Sequence, residues 1–256
     1  MNQVAIIPAR MASTRMPDKP MADIHGMPMI GHLYHRCRLS SAFTGVYVAT
    51  CDQVIFDYIT SIGGQAIMTA DIHERASDRA AEAMIKVEQM TGKRIDVVAM
   101  VQGDEPMLTR TMLQALMAPF STDPSIEIVN LMASLKSREE QEDINEVKVV
   151  VDMKENALYF SREPIPSWKK GGTPQRLLKQ LGIIAFRRDF LEKFNSLPQT
   201  PLEIVESVDM LRVLEHGYPL KMVHIADDTY SVDTIADLEN VRRRMESDPF
   251  MKEYVK

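Results

Sequence analysis

Cysteine is nearly absent from this 256-residue chain: Cys37 and Cys51 stand alone, without C-x-x-C spacing. That excludes a disulfide framework and a thiolate metal cage, and a reducing compartment is the simplest setting. The six histidines, His25, His32, His35, His73, His216 and His224, show no H-E-x-x-H or comparable ligand spacing, so a zinc centre is not expected. No serine nucleophile elbow occurs, and Cys51 has no base near it in sequence, which argues against a covalent intermediate. Neither a Walker A loop nor a G-x-G-x-x-G fingerprint is present. There is no apolar run of transmembrane length and no signal peptide, so a chain beginning near Met1, soluble and cytoplasmic, is expected. Basic residues are not in excess either, and a formal net charge of -6 argues against a dedicated nucleic-acid binder.

What the sequence does have is alternation. Short apolar runs at 4–8, 46–50, 65–68 and 97–101 are separated by amphipathic stretches at 29–39, 54–62 and 77–90. This is the pattern of a largely parallel sheet covered by helices. Gly63 and Gly64 close the second helix, and Thr109 caps the helix that follows the fourth strand. The second half is less regular. Strands are expected at 128–134, 147–152, 158–161, 182–186 and 221–225, with a Gly-containing loop at 168–174. One helix is expected over 203–216, from the spacing of Leu202, Val205, Val208, Leu211 and Leu214, and a closing helix over 235–245. The nineteen methionines are scattered through periodic segments and read as core filler. No repeat or linker divides the chain, so one domain over 1–256 is expected.

Charge is concentrated directly after the first strand. Pro8 turns the chain into a loop carrying Arg10, Ser13, Thr14, Arg15 and Lys19. Cations this close repel one another, so an anion among them is the natural occupant, although a solvated surface loop has the same composition. Position favours the anion, because ligands of open α/β sheets bind outside the carboxyl ends of strands. Arg10 and Arg15 offer bidentate forks and Lys19 a point charge, which suits a polyphosphate. Asp104 and Asp233 each follow an apolar strand and could project from the same edge. Carboxylates facing a polyphosphate need a cation between them, and Mg²⁺ is held by one or two carboxylates plus phosphate oxygens. The alternatives are local: Asp104 as a cap of the turn before Pro106, Asp233 as a cap of the last helix.

These motifs resemble a known family. Ile6-Ile7-Pro8-Ala9-Arg10, Ala12-Ser13-Thr14-Arg15-Met16-Pro17-Asp18-Lys19-Pro20, Val101-Gln102-Gly103-Asp104-Glu105-Pro106 and Val147-Lys148-Val149-Val150 are similar to stretches of the 3-deoxy-manno-octulosonate (KDO) cytidylyltransferases. The resemblance runs from about Val4 to Met245. It implies a three-layer, Rossmann-like nucleotidyltransferase fold with a small sugar-binding and dimerisation subregion. The nucleotide-binding half would span about 1–125, the sugar-binding and dimerisation half about 126–225, and the closing loop and helix 226–256.

The implied reaction is transfer of CMP from CTP to the anomeric hydroxyl of an acidic keto-sugar, with Mg²⁺ as cofactor, in a homodimer serving lipopolysaccharide or other surface-glycan synthesis. The resemblance puts Pro8, Ala9, Arg10, Ser13, Arg15, Lys19, Arg79 and Gln102 on the nucleotide. It gives Lys19, Arg15, Asp104 and Asp233 catalytic roles, the two aspartates as Mg²⁺ ligands. Gln102, Arg162, Gln180, Ile184, Glu203 and Glu206 fall on the sugar side. Gln180 and Ile184 replace a histidine and a tyrosine usual in the family, so the sugar could be KDO, an 8-amino variant or another nonulosonate-like acid; the alternative to an enzyme is a catalytically silent nucleotide-binding regulator.

Overall fold

Hydrophobic runs that a helix returns to the same edge pair as parallel strands. The computed structural model of the chain describes residues 1–12, 16–167, 171, 176–227 and 230–255. Two compact units emerge, one formed by Met1–Gln114 with Thr229–Lys256 and the other by Ala115–Asp228.

The first unit opens with β1 (Gln3–Ala9), a short hairpin of β2 (Asp23–Ile24) and β3 (Met27–Pro28), and α1 (Met29–Arg38). Then come β4 (Gly45–Thr50), α2 (Gln53–Ser61), β5 (Ala66–Met68), α3 (Ala76–Thr91) and β6 (Val97–Val101). Strands β1, β4, β5 and β6 lie in the order β6-β1-β4-β5 and all pair in parallel. Ile6, Ile7, Val48, Ala49, Val98 and Ala99 are fully buried, as the strands of a sheet covered on both faces must be. Strand order reverses between β6 and β1. Their carboxyl ends therefore diverge into a crevice, and it receives the loops after both.

Helix α4 (Arg110–Thr122) carries the chain into the second unit, and the Thr109 hydroxyl accepts from the Met112 N–H at its start, the cap expected from sequence. The second unit contains β7 (Ile128–Ser134), α5 (Arg138–Glu142), β8 (Lys148–Val151), β9 (Ala157–Ser161) and β10 (Leu178–Arg187). It continues through α6 (Arg188–Ser196), α7 (Pro201–Glu206), α8 (Met210–Glu215) and β11 (Lys221–Ile225). Its strand order is β11-β7-β10-β8-β9, with β11 parallel to β7 and the other pairs antiparallel. A bulge interrupts β10 between Gln180 and Ile184, and the Asn130 amide fills it by donating to the Leu181 and Ile183 carbonyls.

One expectation fails here. The single helix over 203–216 is two helices, α7 and α8, broken at Ser207, whose φ of 52° is left-handed. The apolar spacing is not one core face: Val208 and Leu211 are buried, while Leu202 and Val205 are exposed. Residues 168–170 and 172–174 of the expected loop lie outside the described residues.

The chain then returns to the first unit through α9 (Ile235–Met245). Leu238, Val241 and Met245 of α9 pack with Ile24, Met29 and Val232 in one buried cluster. That packing fixes Val232, and with it the neighbouring Asp233.

Candidate active site

Pro8, next to last in β1, brings an already fixed φ, and the chain leaves the sheet edge after Ala9. The Met11 N–H donates to the Asp52 carboxylate at 2.8 Å, tying this loop to the end of β4. Next to it, β6 ends in Gln102-Gly103-Asp104, and the Val232 N–H donates to the Asp104 carbonyl at 2.9 Å. The segment before α9 is thus laced onto the loop after β6. These loops, together with residues 73–79, line a cavity of about 310 Å³.

Most nucleotide-side residues expected from sequence meet in that cavity: Pro8, Ala9, Arg10, Lys19, Arg79 and Gln102 line it, as do Asp104 and Asp233. Ser13 and Arg15 lie outside the described residues. Lys19 sits between the two aspartates, with its Nζ 3.7 Å from Asp104 Oδ2 and 3.3 Å from Asp233 Oδ1, and it donates to the Val232 carbonyl at 2.5 Å. Two carboxylates thus flank one ammonium. Burial pushes the Asp104 carboxyl above its ordinary value; Lys19 offsets part of that shift and Asp233 adds to it.

The donor set of Asp104 and Asp233 fits Mg²⁺, which takes few protein carboxylates and completes its shell with phosphate and water. Among the described residues no group of three or more His, Cys, Asp or Glu side chains forms a self-sufficient cage. Asp233 is also not the cap of α9. That role belongs to Thr234, which accepts from the Asp237 N–H while Asp237 reaches back to the Thr234 N–H.

Arg79 borders the cavity from a buried position, and its guanidinium is engaged with the loop after β5. It donates to Thr69 Oγ1 at 2.5 Å, to the Ala70 carbonyl at 3.2 Å and to the His73 carbonyl at 3.3 Å. Sequence reading missed this loop: His73, Glu74 and Arg75 also line the cavity. A signal was available in the closeness of Arg79 to the 73–75 run, where His73, Glu74 and Arg75 follow one another after an apolar strand.

The sugar-side residues other than Gln102 belong to the second unit and are engaged within it. Glu203 and Arg212, 3% and 1% exposed, form a two-pronged buried ion pair. Glu206 accepts from the Tyr159 and Ser161 hydroxyls and from the Arg162 N–H. Burial alone would raise the Glu206 carboxyl, yet these donors hold it below its ordinary value. Arg162 donates to the Glu206, Ser207 and Ile144 carbonyls. Gln180 donates to Asn130 Oδ1 at 2.7 Å beside the bulge, and Ile184 on its far side is buried.

The cytidylyltransferase family profile matches residues 4–225. The 3-deoxy-manno-octulosonate cytidylyltransferase of Geobacter metallireducens is 37% identical over 255 residues, covering 96% of this chain and 98% of its own length. The enzyme of that name from Escherichia coli is 39% identical, covering 94% and 95%. A solved structure of CMP:2-keto-3-deoxy-manno-octonic acid synthetase complexed with CTP superposes with a TM-score of 0.89 at 38% identity, covering 96% of this chain and 99% of the other. A putative glucose-1-phosphate thymidylyltransferase from Bacillus anthracis, 13% identical with a TM-score of 0.66, shares the fold.

Proposed function

Because this chain belongs to the cytidylyltransferase family, we propose that it transfers CMP from CTP to the anomeric hydroxyl of KDO or a KDO variant, releasing pyrophosphate. The observation that carries this reading is the cavity at the β1/β6 switch point, where Arg10, Lys19, Asp104 and Asp233 gather beside Gln102. In the reaction the sugar's anomeric oxygen forms a bond to the α-phosphorus of CTP, and the bond from that phosphorus to the bridging oxygen of pyrophosphate breaks. The hydroxyl proton is lost to solvent or to a cavity group.

Arg10, Arg15, Ser13 and Lys19 bind the phosphates and neutralise the charge that grows on the leaving pyrophosphate. Asp104 and Asp233 would hold Mg²⁺, which when bound supplies Lewis-acid polarisation of phosphoryl oxygens. Pro8, Ala9, Arg79 and Gln102 serve the nucleotide, with Gln102 also facing the sugar. In the second unit, Arg162, Gln180, Ile184, Glu203 and Glu206 set the shape that selects the acid.

The reading extends to a cytoplasmic enzyme supplying an activated sugar for lipopolysaccharide or another surface glycan. No helix among the described residues is long and apolar enough to cross a membrane. Exposed Leu158, Leu202, Ile204 and Val205 of the second unit support a homodimer joined there. Incubation with CTP, Mg²⁺ and a panel of acidic sugars, read by product mass, tests the proposal. A CMP adduct of KDO or its 8-amino analogue is expected; adducts with neither, or an adduct with a neutral sugar phosphate, would overturn it. Sedimentation analysis tests the dimer.

A further inference from the structure

The loop after β5 is a wall of the cavity. Two side chains of α3 hold it. Arg79 grips it through Thr69, Ala70 and the His73 carbonyl. From one turn further along the helix, the Glu82 carboxylate accepts from the Ala70 N–H at 3.0 Å, contacts the His73 ring at Nε2, and pairs with Lys86 at 2.7 Å. Glu82 does not itself line the cavity, whereas His73, Glu74 and Arg75 do. Burial alone would raise its carboxyl, but the donors from Lys86, His73 and Ala70 lower it to about 2, so it is a fixed anion at any neutral pH.

The loop's place in the sheet says which part of a nucleotide it meets. Lys19, Asp104 and Asp233 come from the β1 and β6 side, where the phosphates are drawn. In the order β6-β1-β4-β5, the β5 edge is two strands from β1, roughly 10 Å at ordinary interstrand spacing. That distance suits the ribose and base of the same nucleotide.

We propose that Glu82 is a positioning residue for the nucleoside half of a nucleoside triphosphate: by fixing Ala70 and His73 it holds the 69–75 loop in the shape that receives ribose and base. The inference rests on the cytidylyltransferase reading and adds a residue that this reading does not contain. Without Glu82 the loop keeps the grip of Arg79 but loses its second anchor, and the wall pays the ordering cost on binding. The phosphate end, built from other loops, is untouched.

The test is calorimetric titration of the full chain, wild type and Glu82→Ala, with CTP and separately with inorganic pyrophosphate in the same Mg²⁺ buffer. The proposal expects the CTP Kd of Glu82→Ala to rise roughly tenfold or more, as for lost charge-assisted hydrogen bonds, with the pyrophosphate Kd unchanged. Glu82→Gln, which still offers an oxygen to the Ala70 N–H, should recover part of the loss. It carries the same comparison if the alanine variant does not fold. Equal weakening of CTP and pyrophosphate, or an unchanged CTP Kd, would overturn the proposal. A wild-type chain that binds pyrophosphate but not CTP would overturn the cytidylyltransferase reading beneath it.

Discussion

Charged groups of the second unit pair in buried positions, whereas those at the carboxyl ends of β1 and β6 in the first unit line a cavity. Glu203 meets Arg212 in a buried, two-pronged pair, and the Lys148 ammonium, fully buried and pushed below its ordinary value by that burial, donates to the Asp143 and Arg162 carbonyls. Around Lys19 two carboxylates share one ammonium at the wall of an open cavity, and Asp104 and Asp233 each remain 27% exposed. Internal pairing makes architecture. Charge on a cavity wall at a strand's carboxyl end lies where ligands of open α/β sheets bind. Substitutions in the two places should therefore fail differently, the first in stability and the second in binding and turnover.

The largest effect on stability is expected at the closed pair. Glu203→Ala strands a buried guanidinium and should cost about 3 to 5 kcal/mol, read as a lower denaturation midpoint, while an apolar pair at both positions recovers most of the loss. A loss confined to turnover, with stability unchanged, would move Glu203 from architecture to chemistry.

A second effect comes from acid. His32 is fully buried, with its Nε2 against the Ile24 carbonyl and its Nδ1 facing the Tyr254 hydroxyl. Burial lowers it from its ordinary value of 6.5 to about 4. The unfolded chain takes up that proton first, so this contribution is complete above pH 6.5 and is lost as pH falls towards 4. The loss reaches about 3 kcal/mol at most. His32→Asn or His32→Gln should flatten this part of a stability-against-pH curve; an unchanged slope between those limits would assign acid lability elsewhere.

Smaller still is the expected effect of Arg10→Ala, about 2 kcal/mol in CTP affinity from a charge-assisted contact with phosphate. CMP, lacking the β- and γ-phosphates, should lose less. Equal losses for CTP and CMP would put Arg10 against the nucleoside or the α-phosphate.

The first unit was readable from sequence because its signals are local. An apolar run, a proline and then cations give β1 and its loop, and Asp104 is announced by the strand before it. Asp233 kept its place while its capping alternative fell away, because Thr234 and Asp237 form the capping box themselves. The second unit resisted. Glu203 and Arg212 stand nine positions apart, and on one continuous helix they would point to opposite faces. The left-handed turn at Ser207 brings them together, and a non-glycine residue in that conformation gives no warning in sequence. Glu82 was invisible for a related reason. A glutamate four residues before a lysine on a helix reads as an ordinary surface pair, and its second set of partners comes from a loop that only the fold delivers.

Pyrophosphate release from CTP in the presence of KDO and Mg²⁺, compared between wild type and Asp104→Asn at equal folded fraction, tests the reading of the cavity most directly. The asparagine keeps the shape of the side chain and removes its charge. Turnover should fall roughly a hundredfold or more, since an amide is a poor substitute for a carboxylate at a divalent cation, while the denaturation midpoint stays at or above that of wild type. A folded Asp104→Asn protein that releases pyrophosphate at the wild-type rate under saturating CTP would contradict the claim that the cluster of Lys19, Asp104 and Asp233 is the catalytic centre.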